Sequence, residues 1–308
     1  MPRFFLTIAN SPAMYWKTTR FDVDLSEPRV MGIVNLTPDS FSDGGRLGDA
    51  QGALRHCEQL LKDGADLLDI GGESTRPGSA GISVEEELRR VLPVVREAVK
   101  FNVPVSVDTS KPEVMAAVLE LGADIINDIW ALRRGGVDGG PSAREVVSAH
   151  AACGVCLMHM HGDPLTMQLQ PMDGDVVPQV LLFLELAAQE LQGLGVQKAR
   201  IAFDPGIGFG KAMAQNFSLL ARQAELLPPG SPLLLGWSRK SSLGAVVASA
   251  DGQAPPPYER LGASVAAAVL AVERGASVVR VHDVRETVQA LRVWRAMVAE
   301  QRPQGLAV

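Results

Sequence analysis

Short apolar runs recur along this chain, each leading through a polar residue and a Gly/Pro-containing loop into a helical stretch. They lie at residues 30–34, 66–70, 103–107, 125–126, 155–158, 201–203, 233–235 and 278–281. Runs this short, rich in Val and Ile, read as strands buried on both faces. Helical spacing fills the intervals at 53–63, 83–99, 112–121, 142–152, 175–194, 214–227, 258–274 and 284–301. Ser83 ahead of three glutamates is a capping signal, and Pro112 suits a first helical turn. Gly64, Gly122 and Gly275 stand where a helix must stop before the next strand. Eight such units with no break in composition predict one domain, an α/β fold of the (β/α)8 TIM barrel type. A doubly wound sheet would carry a phosphate fingerprint instead. The segment Gly206-Ile-Gly208-Phe-Gly210-Lys211 fails both common patterns, having Lys at 211 and Pro at 205.

Residues 30–301 are assigned to the barrel, 1–29 to a short N-terminal extension capping it, and 302–308 to a tail. Within the extension, residues 14–28 are expected to form a strand pair or hairpin. The chain has 308 residues, 46% hydrophobic and 21% charged, enough for a large core. A net charge of −6 with no basic stretch argues against a nucleic-acid partner. No apolar run is long enough for a membrane helix, and the patch at residues 4–9 is too short for a signal sequence. These features predict a cytoplasmic protein. Three cysteines, Cys57, Cys153 and Cys156, are too few for a disulfide framework. The Cys153-Gly-Val-Cys156 spacing has no second pair to complete a zinc site, so both are read as small core residues.

In such a barrel the C-terminal strand ends converge on one mouth. They carry Asn35; Asp69 with Glu73-Ser-Thr75-Arg76-Pro77 beyond it; Asp108; Asn127-Asp128; Met158-His159; Asp204, then Phe209 and Lys211; Ser238 and Lys240; and Arg280 and His282. Short carboxylates and amides on rigid strands suit hydrogen bonding to a planar, NH-rich heterocycle. Arg76, Lys240, Arg280 and His282 suit an anion. The ligand therefore has a polar heterocyclic part and an anionic part. After Asn35, residues 37–45 form a Gly-, Ser- and Asp-containing loop, the composition of a lid that moves.

These segments resemble the dihydropteroate synthase family. Met31 to Gly45, Asp69 to Gly78, Val107 to Thr109, Ile126 to Asp128, Phe203 to Lys211 and Gly236 to Ser241, with Arg280-Val-His282, match its patterns in order. The resemblance implies a homodimeric transferase of folate biosynthesis with a TIM barrel. It would join 6-hydroxymethyl-7,8-dihydropterin pyrophosphate to 4-aminobenzoate with Mg2+, releasing pyrophosphate, and be a sulfonamide target. It implies that Asp108, Asn127, Met158, Asp204 and Lys240 hold the pterin, with Phe203 as a further apolar wall. Asn35, Arg280 and His282 would hold pyrophosphate, with Asn35 also near the metal. Thr75, Arg76, Pro77, Phe209 and Ser238 would form the aminobenzoate site. Asp108, Lys240, Arg280 and His282 are the implied catalytic groups. A methyltetrahydrofolate-binding module serving a corrinoid partner would share the pterin pocket. It would not need Ser-Thr-Arg-Pro-Gly or the Arg-x-His pair. A silent homologue would have lost one of Asn35, Arg76, Asp108, Lys240 or Arg280, and all are present.

Other residues read structurally. Asp69 fits equally a buried carboxylate bonded to loop amides and a site residue. Asp128 is expected to cap the segment after it, and Lys211 to close the anion environment of the loop after Asp204. His159 and His161 have HxH spacing but lack a third metal ligand, so they are read as polar residues behind the site. Glu85-Glu86-Glu87 is expected to be a solvated helix start. Met115, Met167, Met172 and Met213 are read as packing or surface residues.

Overall fold

The computed structural model describes residues 14–37, 45–75, 78–79, 81–227 and 230–301. Their elements follow the expected rhythm. A hairpin of β1 (Tyr15–Lys17) and β2 (Asp22–Asp24) comes first, paired antiparallel. Then follow β3 (Arg29–Asn35), α1 (Gly45–Lys62), β4 (Leu67–Gly71), α2 (Val84–Ala98), β5 (Val105–Asp108), α3 (Pro112–Glu120), β6 (Ile125–Asp128), α4 (Ala143–Ala149) and β7 (Gly154–Met158). The second half holds α5 (Val176–Gly193), β8 (Ile201–Asp204), α6 (Met213–Ala221), β9 (Leu234–Leu235), α7 (Ser241–Val246), α8 (Leu261–Glu273), β10 (Val278–Val281) and α9 (Val284–Gln301).

The eight strands β3–β10 form one parallel sheet, ordered β8-β7-β6-β5-β4-β3-β10-β9. A parallel bridge between Phe203 and Leu233 joins its two ends and closes the barrel. The weakest strand, β9, has two residues, and Phe203 N–H donates to Pro232 O at 2.8 Å beside it. The Ser83 hydroxyl caps α2 by accepting from Glu86 N at 3.2 Å, and Pro112 opens α3. Gly64, Gly122 and Gly275 all have positive φ (102°, 93° and 97°) at the helix-to-strand junctions.

Some local readings change. The helix expected over 53–63 already begins at Gly45, and the one expected over 214–227 ends at Ala221, before a single turn at Gln223–Leu226. The helix expected from 258 begins at Leu261, after a single turn at Pro257–Glu259. Three consecutive prolines, Pro255 to Pro257, cannot supply the N–H donors of a continuing helix. The helix expected to reach 152 stops at Ala149, because the His150 ring accepts from Cys153 N at 2.9 Å and turns the chain into β7. The short helix α7 had no separate sequence signature.

Alternation along each strand divides the core in two. Outward residues such as Val30, Leu68, Val107, Ile126, Leu157, Phe203 and Val279 pack under the helices. Inward residues Met31, Leu67, Ile125, Cys156, Ala202, Leu234 and Val278 fill the lower barrel together with Trp16 of the hairpin. Trp16 is 0% exposed, and its indole N–H donates to Arg200 O at 2.9 Å. Arg20 grips the buried Asp124 at 2.5 Å, fastening the hairpin to the strand bottoms. Cys153 belongs to the outer core and Cys156 to the inner one, so the CxxC residues do not converge. Met115, Met167 and Met172 are buried and Met213 is exposed, as read.

Truncating Trp16 to Ala empties the barrel floor far from the mouth. We expect a loss of about 3–5 kcal/mol of unfolding free energy in urea titrations, with substrate KM values unchanged.

Candidate active site at the barrel mouth

The inward alternation that places Leu67, Ile125, Cys156, Ala202 and Val278 at the floor also sets the residues two positions on. Those are Asp69, Asn127, Met158, Asp204 and Arg280. On β5 the same face carries Ser106 and Asp108, and on β3 it ends at Asn35. Strand register puts Asp108 opposite Asn127, and Met158 opposite Asp204. The expected strand-end residues therefore come together because a two-residue period is continued one step upward.

Arg280 organises this ring. Its Nε donates to Asp69 Oδ2 at 2.5 Å and its Nη2 to Asp108 Oδ2 at 2.8 Å. The Asn127 amide also donates to Asp69 Oδ2, at 3.3 Å. Asp69 thus bonds side chains of the ring, not loop amides, and holds Arg280 and Asn127 in place. Its Oδ1 is buried with no protein partner among the described residues. Burial pushes the Asp108 carboxyl up to about 7; Arg280 opposes that rise and Asp69 adds to it.

Asp204 stands across the mouth. Its Oδ1 accepts from Gly206 N at 2.7 Å, and burial raises its pKa against the pull of Lys240. Burial brings Lys240 down to about 8, while Asp204 favours its charge. The Lys240 ammonium donates to Ile207 O and lies 4.8 Å from the centre of the Phe209 ring. An acid, an ammonium and an aromatic face therefore meet in one corner. Ser238 and His282 share a hydrogen bond of 3.0 Å between Oγ and Nδ1. Two residues expected in different subsites are thus direct neighbours.

Lys211 closes its loop from beneath. Its ammonium donates to Gly206 O at 2.9 Å, Phe209 O at 3.1 Å and His159 O at 3.3 Å. Three carbonyl acceptors require the protonated form, although burial lowers its pKa to about 7. Gly206 allows this closure. It has φ +68°, and a Cβ there would sit 1.8 Å from His159 O.

Some readings are corrected. Phe203 faces outward into the helix layer, since its neighbour Asp204 takes the inward position. Glu87 is not solvated: it is 0% exposed and ion-paired with Lys111 at 2.5 Å. Asp128, on the outward face, caps the next segment as the sequence led us to expect, accepting from Trp130 N at 2.9 Å and Leu132 N at 2.7 Å. That supports Ala131 and Leu132 in left-handed conformations, with φ of 50° and 60°. His159 is buried edge-on against Phe183, and burial takes its pKa to about 2, so it is neutral. Among the described residues no group of three His, Cys, Asp or Glu forms a metal cluster. Thr75 is described at the root of loop 2 (residues 72–83). Arg76, Pro77 and residues 38–44 lie outside the described residues.

Residues 31–282 match the family described as pterin binding enzyme. The chain belongs to that family. A curated relative, the dihydropteroate synthase of Neisseria meningitidis serogroup B, is 48% identical over 287 residues, covering 92% of this chain and 97% of that protein. The crystal structure of Burkholderia cenocepacia dihydropteroate synthase with 7,8-dihydropteroate superposes with a TM-score of 0.82 at 45% identity. It covers 96% of this chain and 100% of that one. The Yersinia pestis dihydropteroate synthase, solved as a sulfonamide drug complex, gives 0.84 at 44% identity, covering 93% and 100%.

The Lys211 bonds predict a stability effect in this pterin-binding barrel. Lys211→Met removes the ammonium donor from the carbonyls of residues 159, 206 and 209, of which Gly206 O keeps a bond from Phe209 N at 3.1 Å. It should lower unfolding free energy by about 3 kcal/mol, read by denaturant titration.

Proposed function

We infer that the chain is a dihydropteroate synthase, joining 6-hydroxymethyl-7,8-dihydropterin pyrophosphate to 4-aminobenzoate in folate biosynthesis. The observation that carries this reading is the inward ring of Asp108, Asn127 and Asp204 with Arg280 forked between two carboxylates. Acidic and amide groups match the donor-rich edge of a pterin, and cations beside them match its diphosphate. Asp108, Asn127, Asp204 and Lys240 hold the pterin, with Met158 as an apolar wall. Asn35, Arg280 and His282 take the diphosphate. Thr75, Arg76, Pro77, Phe209 and Ser238 take the aminobenzoate.

The reaction is substitution at the pterin methylene. The carbon–oxygen bond breaks first, and its electron pair leaves with the diphosphate. The remaining cation is delocalised into the pterin ring, where the Asp108 carboxylate opposes its charge in a water-poor site. Arg280 and His282 stabilise the departing anion. The aminobenzoate nitrogen then attacks the methylene, forms the carbon–nitrogen bond and loses its proton. An aniline is already nucleophilic, so no strong base is needed.

A Mg2+ ion fits the donor chemistry here. The Asn35 side-chain oxygen is a hard ligand, and Mg2+ commonly relies on substrate phosphates and water for its other positions. When bound, it would supply charge neutralisation for the leaving diphosphate. A cytoplasmic homodimer is the assembly and location we assign. No described helix is long and apolar enough to cross a membrane.

The direct test is pyrophosphate release from the pterin substrate with and without 4-aminobenzoate. Dihydropteroate formation is expected, with sulfonamides competing against aminobenzoate. Absence of product would leave only a pterin-binding module. Arg280→Ala should cripple turnover through the leaving group, while Arg76→Ala should chiefly raise the aminobenzoate KM. Wild-type kinetics in either variant would overturn that assignment.

pH gives a further expectation. Below about 7 Asp108 takes up a proton and loses the charge that opposes the cation. Above about 8 Lys240 loses its proton. The kcat/KM for the pterin substrate should therefore be bell-shaped between these values. Lys240→Arg should move the alkaline limb upward, because guanidinium stays charged.

A further inference from the structure

Loop 2 (residues 72–83) carries Thr75, Arg76 and Pro77, and its neck is held by a buried charge network that the reaction itself does not use. Glu73 spans that neck. Its Oε1 accepts from Ile82 N at 2.8 Å, joining the beginning and end of the loop. Its Oε2 accepts from Lys111 Nζ at 2.9 Å. The same ammonium donates to Glu87 Oε2 of α2 at 2.5 Å. Lys111 stands three residues beyond Asp108, on the segment leaving β5.

The packing around this network is specific. A Cβ on Gly72 would lie 2.7 Å from Val91 Cγ1 and 3.0 Å from Glu87 Cγ. Only glycine lets α2 approach closely enough to bring Glu87 under the loop. Arg90 donates to Gly72 O at 2.9 Å, fixing the same neck from the helix side. Farther out, Ser74 and Ser79 share a 2.8 Å hydrogen bond, and Gly78 N donates to Pro164 O at 3.0 Å. The root of the loop is thus bonded to β5 and α2, and its tip to the loop after β7.

We propose that Glu73 and Lys111 are positioning residues, which set the root of loop 2 relative to Asp108 and so align the aminobenzoate with the pterin methylene. One buried ammonium serves two carboxylates from different elements, so the three must hold one arrangement. A lysine in the open would need no such enclosure, and without it the buried Glu87 and the largely buried Glu73 would carry uncompensated charge. The geometry joins the segment leaving the strand that bears Asp108 to the root of the loop that bears Thr75. Displacing that loop by about 1 Å costs the nucleophile its approach line without disturbing the pterin pocket.

This inference rests on reading the chain as a dihydropteroate synthase, and wild-type turnover tests that reading separately. If wild-type protein makes dihydropteroate, Glu73→Gln is the main probe. It keeps the side-chain shape but removes the charge that faces Lys111. The aminobenzoate KM should rise by roughly tenfold or more, with the KM for the pterin pyrophosphate changing less than about twofold. Glu73→Asp supplies a second arm. It keeps the charge but is too short to reach both Lys111 and Ile82, and should give the same selective rise. Thermal unfolding of each variant establishes that it is folded. Selective loss of aminobenzoate affinity in folded variants supports the proposal. Unchanged KM values, or equal rises for both substrates, would overturn it. If Glu73→Gln does not fold, Glu73→Asp alone decides between those outcomes.

Discussion

The guanidinium of Arg280 joins the last barrel strand to the second and third, through Asp69 and Asp108. None of the three charges could stay in this setting alone. Removing an ion from water costs several kcal/mol, and only close, well-aligned partners return most of it. The fork therefore does two things. It allows acidic groups to stand inside a folded barrel, and it aims them. Asn127 joins the same Asp69 oxygen, so four strand ends, counting β10, share one network. A pterin entering the mouth meets groups that are already desolvated and oriented, which is where electrostatic stabilisation of a cation is strongest.

Around this centre, rigidity is graded. Strand-borne residues have the barrel's hydrogen-bonded ladder beneath them. Loop-borne residues depend on separate fastenings: Lys211 under three carbonyls, Asp128 over a left-handed turn, Glu73 and Lys111 at the neck of loop 2. Each fastening is a buried polar or charged group that finds its partners in the backbone or in another element. In each case a residue that resembles a site group by type serves instead to hold one in place.

Much of this was legible beforehand. Strands and helices could be placed because a run such as residues 103–107 is too short and too β-branched for a helix. Junction glycines such as Gly122 marked where helices end. Asp108, Asn127 and Asp204 could be chosen because short polar side chains at the ends of apolar strands have few structural reasons to be there. Other features were hidden. Glu87 looked like one of three solvated helix-start glutamates. Only the position of Lys111, twenty-four residues away, shows that it is buried. Phe203 looked like a wall of the pocket beside Asp204. Alternation sends adjacent strand residues to opposite faces, so both could not line it. The small clue available was that same parity.

By itself, the sequence determined the number of βα units, the strand ends, and the types of side chain presented there. These follow from local periodicity and from the special backbones of glycine and proline, which need no distant partner. Tertiary structure decided which charges pair. Asp69 became the holder of Arg280, 211 residues away, and Glu73, placed by the sequence only in the loop beyond Asp69, became an anchor. Ion pairing acts over a few ångströms in space, and closing a barrel brings together residues whose distance along the chain carries no record of that contact.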